Sequence, residues 1–127
     1  MGAAPKHHSP AFLALVNEAR SRVREIDIDG YRRMREEGRP HVLVDIREDR
    51  EWAAGHAEGA VHMGKGIIER DIEQAQPDKS ATLVLYCGGG FRSALAAEAL
   101  GRMGYRNVVS LDGGWRAWQA AGLPTEA

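Results

Sequence analysis

Two short, unbroken apolar runs limit what this chain can fold into. One is Val42-Leu43-Val44 within His41–Arg47, and the other is Leu83-Val84-Leu85-Tyr86. Neither alternates apolar with polar residues, as a strand with one wet face would, and neither is long enough for a helix. Such runs suit strands covered on both faces, which is the situation of a parallel sheet between helices. Helical patterns separate them, so the reading is an α/β domain with a mainly parallel sheet.

Taken in order, residues 1–9 read as a disordered lead-in that includes His7 and His8. Ser9-Pro10 opens a helix with Ser at the cap and Pro in the first turn, and Phe12, Leu13, Val16 and Ala19 give it an apolar face over 10–24. Ile26 and Ile28 flank Asp27 as a short edge strand, and Asp29-Gly30 begins the next helix. After the strand at 41–47, Glu48–Gly55 reads as a short helix, Gly59–Met63 as a short strand and Gly66–Gln76 as a helix. Thr82–Tyr86 is a strand, Ser93–Met103 a helix, Asn107–Leu111 a strand and Trp115–Ala121 the closing helix, with 124–127 left as a tail.

With 127 residues the chain suits one domain and needs no staple to hold a core. A net charge of −1 gives no global case for a nucleic-acid or membrane partner. No apolar run approaches the ~18 residues of a membrane span. The single cysteine excludes an intrachain disulfide and any metal site of paired cysteines, and it suits a reducing, cytoplasmic setting.

That cysteine, Cys87, ends the second apolar run and is followed by Gly88-Gly89-Gly90-Phe91-Arg92-Ser93. Strand, glycine loop and helix start is an arrangement that aims backbone N–H groups at an anion. The thiolate is the reactive form of cysteine, and three features here stabilise negative charge on the sulfur. Glycines allow loop N–H groups to converge, a helix N-terminus follows, and Arg92 adds a fixed positive charge that suits oxyanions. The loop is not a phosphate-binding P-loop, because the Gly-Lys-Ser/Thr ending is absent. A buried cysteine beside a tight turn is the bland alternative. The combination of strand end, cysteine, three glycines and an arginine at Cys plus five points instead to nucleophilic chemistry on a small anion.

Cys87–Ser93 resembles the active loop of single-domain rhodaneses, which are sulfurtransferases. Leu43-Val44-Asp45-Ile46-Arg47-Glu48, Gly55–His62 and Val109–Trp115 with Trp118 resemble that family's other signatures, in family order over roughly 25–123. The resemblance implies a rhodanese-like fold, with a five-stranded mainly parallel sheet flanked by helices on both faces. It implies that Cys87 takes a sulfane sulfur from a small sulfur oxyanion donor such as thiosulfate, becomes a persulfide, and passes the sulfur to cyanide, a thiol or a protein acceptor. Gly88, Gly89, Gly90, Phe91 and Arg92 would then form the substrate-binding loop. No cofactor or metal is implied, because the nucleophile itself carries the transferred atom.

Two other readings share the fold: a persulfide relay or interaction module with little turnover, and a phosphatase or arsenate reductase. Related cell-cycle-type phosphatases have a loop one residue longer, with arginine at Cys plus six, where this chain has Ser93. The resemblance implies that Asp45 and Arg47 form an ion-pair scaffold beside the loop, with direct contact to the substrate as the alternative, and Ser93 is expected as a further supporting residue. In Gly64–Arg70, Arg70 is the expected second cation for a dianionic donor. His56 and His62 read as turn residues, and Trp115 and Trp118 as helix-packing residues.

Overall fold

The computed structural model describes residues 8–127; most of the expected lead-in, His7 included, lies outside them. The elements run α1 (Pro10–Arg20), β1 (Arg24–Ile26), α2 (Ile28–Glu36), β2 (Val42–Asp45), α3 (Asp49–Ala53), β3 (His56–Ala57), β4 (Val61–His62), α4 (Ile68–Ala75), β5 (Thr82–Tyr86), α5 (Phe91–Arg102), β6 (Asn107–Leu111), α6 (Gly114–Ala120) and β7 (Thr125–Glu126). Five strands form one sheet in the order β1-β6-β5-β2-β4, every neighbouring pair parallel.

The two apolar runs are the neighbouring strands β2 and β5, paired Val42 to Leu83 through Asp45 to Tyr86. Because strand residues alternate between faces, β5 feeds two cores. Leu83, Leu85 and Cys87 point into one, with Ile68 and Ile72 of α4 and Ala96, Ala97 and Leu100 of α5. Val84 and Tyr86 point into the other, with Tyr31 of α2 and Trp118 of α6. Each fully buried leucine here contributes about 1.5–3 kcal/mol. Helix α1 lies against α5 through buried Val16 and Ala19, and its Ser9 cap accepts from the Phe12 N–H at 3.2 Å.

Five expectations change. The N-terminal helix stops at Arg20 rather than at 24, because Arg24 already pairs with Val109 in β1. The edge strand sits at Arg24–Ile26 rather than Ile26–Ile28, because Asp27 caps α2 by accepting from the Gly30 N–H at 2.7 Å and so draws Ile28 into the helix. Helix α5 begins at Phe91, two residues before Ser93, since Gly90 at φ +102° takes the turn that starts it. His8 is not part of a free lead-in: its ring packs on Phe12 and Phe91. Residues 124–127 are not a loose tail, because β7 pairs antiparallel with β3, while the Pro124 carbonyl accepts from the Glu58 N–H and from Trp118 Nε1.

Candidate active site

Strand β5 lies in the middle of the sheet, so the residue just past its carboxyl end sits where ligands bind in open parallel sheets. That residue is Cys87. The glycine loop turns back so that the Gly90 N–H donates to Cys87 Sγ at 3.1 Å and the Ser93 N–H at 3.4 Å. Both donors belong to the unpaired N-terminal end of α5. The Ser93 hydroxyl lies 3.6 Å from the sulfur and 2.8 Å from the Ser110 hydroxyl on β6. If the sulfur is ionised, Ser93 can turn its proton toward it while Ser110 donates to Ser93.

A second helix end supports the loop from behind. The Trp115 N–H donates to the Cys87 carbonyl at 2.7 Å and the Arg116 N–H to the Gly88 carbonyl at 3.2 Å. Spare donors of the first turn of α6 are thereby taken up by the Cys87 loop. This explains the glycine at 114. Its φ is +51°, and a Cβ there would collide with the Cys87 carbonyl.

Two arginines flank the loop. Arg47 holds Asp45 through Nε and Nη2 at 2.8–3.1 Å, and Nη2 also reaches the Gly55 carbonyl at 2.7 Å. Asp45 further accepts from the Arg47 N–H at 2.9 Å and from the Tyr86 hydroxyl at 2.6 Å, and that hydroxyl accepts from the Ala57 N–H at 3.0 Å. Burial opposes charge on Arg47, yet the Asp45 hydrogen bonds and field hold it above the usual guanidinium range. Burial, reinforced by Asp45, pushes the Tyr86 phenol up. Arg92, in the first turn of α5, pairs with Glu51 at 2.9 and 3.3 Å. Those hydrogen bonds pull the Glu51 carboxyl down to about 2.

Cys87, Gly88, Gly89, Phe91, Arg92 and Arg47 line one cleft of about 590 Å³. Gly90 and Ser93 contribute N–H groups from beneath, and Asp45 stays buried behind Arg47. Arg70 does not join them. It is exposed on α4 and pairs with Asp71 at 2.7 Å, because the chain that reaches the adjoining hollow is Gly64–Ile67, one turn earlier. His56 and His62 are held as structural residues. Each ring N–H donates to a carbonyl, of Trp52 at 3.0 Å and of Arg47 at 2.9 Å, and both rings stack on Trp52. Trp118 is core, whereas Trp115 lies on the cleft with Arg47 4.7 Å from its ring centre.

The sequence reading missed Glu51, Ser110, Arg50, Arg116, His8 and Phe12, of which all but Ser110 line the cleft. Glu51 carries a local signal only as the capping-box partner of Glu48, which says nothing of Arg92. The others reach the site through tertiary packing.

A family model described as rhodanese-like domain matches residues 27–121. The chain is 36% identical over 102 residues to a thiosulfate sulfurtransferase GlpE of Vibrio cholerae, covering 80% of this chain and 93% of that protein. Among solved structures, a Rhodopseudomonas palustris protein of unknown function, described as a possible tyrosine phosphatase, superposes with a TM-score of 0.80. It is 30% identical and covers 98% of this chain and 100% of its own. A thiosulfate sulfurtransferase of Pseudomonas aeruginosa, 19% identical, shares the fold with a TM-score of 0.78 over 91% of this chain and 22% of its own. With the match running from the start of α2 to the end of α6, the chain belongs to the rhodanese-like domain family.

Proposed function

We propose that this chain is a sulfurtransferase that carries sulfur on Cys87. The observation that carries the proposal is a cysteine sulfur at the centre of the sheet that accepts two helix-end N–H groups at the floor of a cationic cleft. The Cys87 thiolate attacks the outer sulfur of thiosulfate, the S–S bond breaks, and sulfite leaves with the electron pair. The persulfide's negative charge rests against the same N–H groups. An acceptor thiolate or cyanide then takes the outer sulfur and returns Cys87 as thiolate. The donor's sulfane sulfur is itself the oxidant of the acceptor and Cys87 ends each cycle as it began, so a separate electron carrier is unnecessary. The named activity of the Vibrio cholerae relative supports this reading, and a cytoplasmic setting would keep the lone thiol reduced.

Mass spectrometry of protein treated with thiosulfate should show one added sulfur on Cys87 and none on Cys87→Ser. No adduct from any sulfane donor overturns the proposal. A persulfide that forms but scarcely turns over would favour a relay module. The description of the Rhodopseudomonas palustris protein supports a second reading, phosphoryl transfer. Against it stands the arginine at Cys plus five rather than plus six. Hydrolysis of an aryl phosphate that is lost in Cys87→Ser, with no persulfide formed, would favour that reading.

A further inference from the structure

Helix α1 precedes the residues that match the family, yet its start helps to build the cleft over Cys87. His8, Phe12 and Phe91 form one aromatic cluster, with ring centres 5.1 Å (His8–Phe12), 4.9 Å (His8–Phe91) and 6.3 Å (Phe12–Phe91) apart. The wall is anchored. Val16 and Ala19 are buried under α1, and the Arg20 guanidinium lies 5.0 Å from the Phe91 ring centre while it pairs with Glu25 at 3.1 Å and Asp112 at 3.2 Å.

The same cleft carries Arg50 and Arg116. Neither has a carboxylate partner among the described residues, whereas Arg47 and Arg92 are already engaged. Arg116 lies over the loop, with Nη1 3.6 Å from where a Cβ on Gly89 would sit. A cleft of about 590 Å³ falls within the ~300–1,000 Å³ of sites that take organic ligands. Thiosulfate, a compact anion with no apolar part, leaves most of that space and the whole aromatic wall unused.

We propose that the sulfur acceptor is a small anionic organic thiol with a flat apolar portion. Its apolar part lies on the wall of His8, Phe12 and Phe91, and its carboxylate meets Arg116 and Arg50. This rests on the sulfur-carrier reading of Cys87. The acceptor's thiolate attacks the outer sulfur of the Cys87 persulfide, the S–S bond breaks, Cys87 leaves as thiolate with the electron pair, and the acceptor departs as a persulfide. Phe12 is then a specificity residue supplied from outside the family's common domain.

The test loads the full chain with thiosulfate, confirms the persulfide by intact mass, and follows single-turnover transfer to 4-(mercaptomethyl)benzoate, to neutral benzyl mercaptan and to cyanide. The charged thiol should react about tenfold faster than its neutral analogue, the scale of one charge-assisted contact, and Arg116→Gln should remove that preference. Phe12→Ala should slow both aromatic thiols about tenfold relative to cyanide, the scale of one lost apolar side-chain contact. Phe12→Leu replaces it if circular dichroism shows Phe12→Ala unfolded. Equal rates for the charged and neutral thiols, or a Phe12 variant that changes all three acceptors alike, overturn the acceptor proposal while the persulfide stands. Failure of the wild-type chain to load sulfur overturns the carrier reading and this one with it.

Discussion

Arg47 and Arg92 both grip a carboxylate beside the Cys87 loop, but they do so in different media. The Arg47–Asp45 pair is almost dry, with side chains 4% and 0% exposed. The Arg92–Glu51 pair is about a third exposed at both ends. In the first, every oxygen of Asp45 is claimed, by Arg47 and by Tyr86, and the guanidinium also closes onto the Gly55 carbonyl. Charges so enclosed cannot exchange partners without large cost, so this pair is framework. Water screens the second, and Glu51 can yield Arg92 to a passing anion at little cost. Two similar ion pairs thus do different work: one fixes the carboxyl ends of β2 and β5, and the other holds a cation in reserve at the cleft.

The sharpest way to break this contrast is Asp45→Ala, which leaves the Arg47 guanidinium buried without its counterion. Urea denaturation should show a loss of about 3–5 kcal/mol, a large share of a typical ~5–15 kcal/mol total. A loss as small as that of an exposed pair would erase the distinction. Tyr86→Phe probes the same frame more gently. It deletes the hydroxyl that donates to Asp45 and accepts from Ala57, leaving a buried N–H unpaired, and should cost about 1–3 kcal/mol in the same measurement.

Glu51→Gln should have the smallest effect on stability, below about 1 kcal/mol at neutral pH. Its pH dependence has a definite sign. The folded carboxyl sits near 2, below its unfolded value, so its contribution is complete above pH ~4.5 and fades as pH falls toward 2. The stability gap between wild type and Glu51→Gln should therefore be level above pH ~5 and close between about 4.5 and 2. A gap that widens on acidification would reverse the assignment of Arg92 as the cause.

Much of the fold could be read from sequence because its central strands are short, apolar and bounded by turn residues. Thr82–Tyr86 and Asn107–Leu111 have the expected limits, and Ser9-Pro10 caps α1 as expected. What escaped depends on choices that local pattern leaves open. Ile28 suits a strand or a first helical turn, and the Asp27 cap decides. β3 and β7 are two residues each, too short to show any period. The cysteine loop is legible because Cys87, its three glycines and Arg92 are contiguous in the chain. Arg70 lies outside the cleft because helical spacing says which residues share a face, not which way that face looks. Glu51, Arg116, Phe12 and Ser110 reach the site from separate elements, and nothing in their local sequence points to it.

The hydrogen bonds from Trp115 and Arg116 to the carbonyls of Cys87 and Gly88 also govern how the domain opens. Elements that satisfy one another's backbone groups come apart together, because release of either leaves polar groups orphaned on both. The loop of Cys87 and the first turn of α6 are therefore one cooperative unit. The Cys87 side chain sits at a joint between two helix ends, and its exposure is tied to the stability of α6, a helix far from Cys87 in the chain.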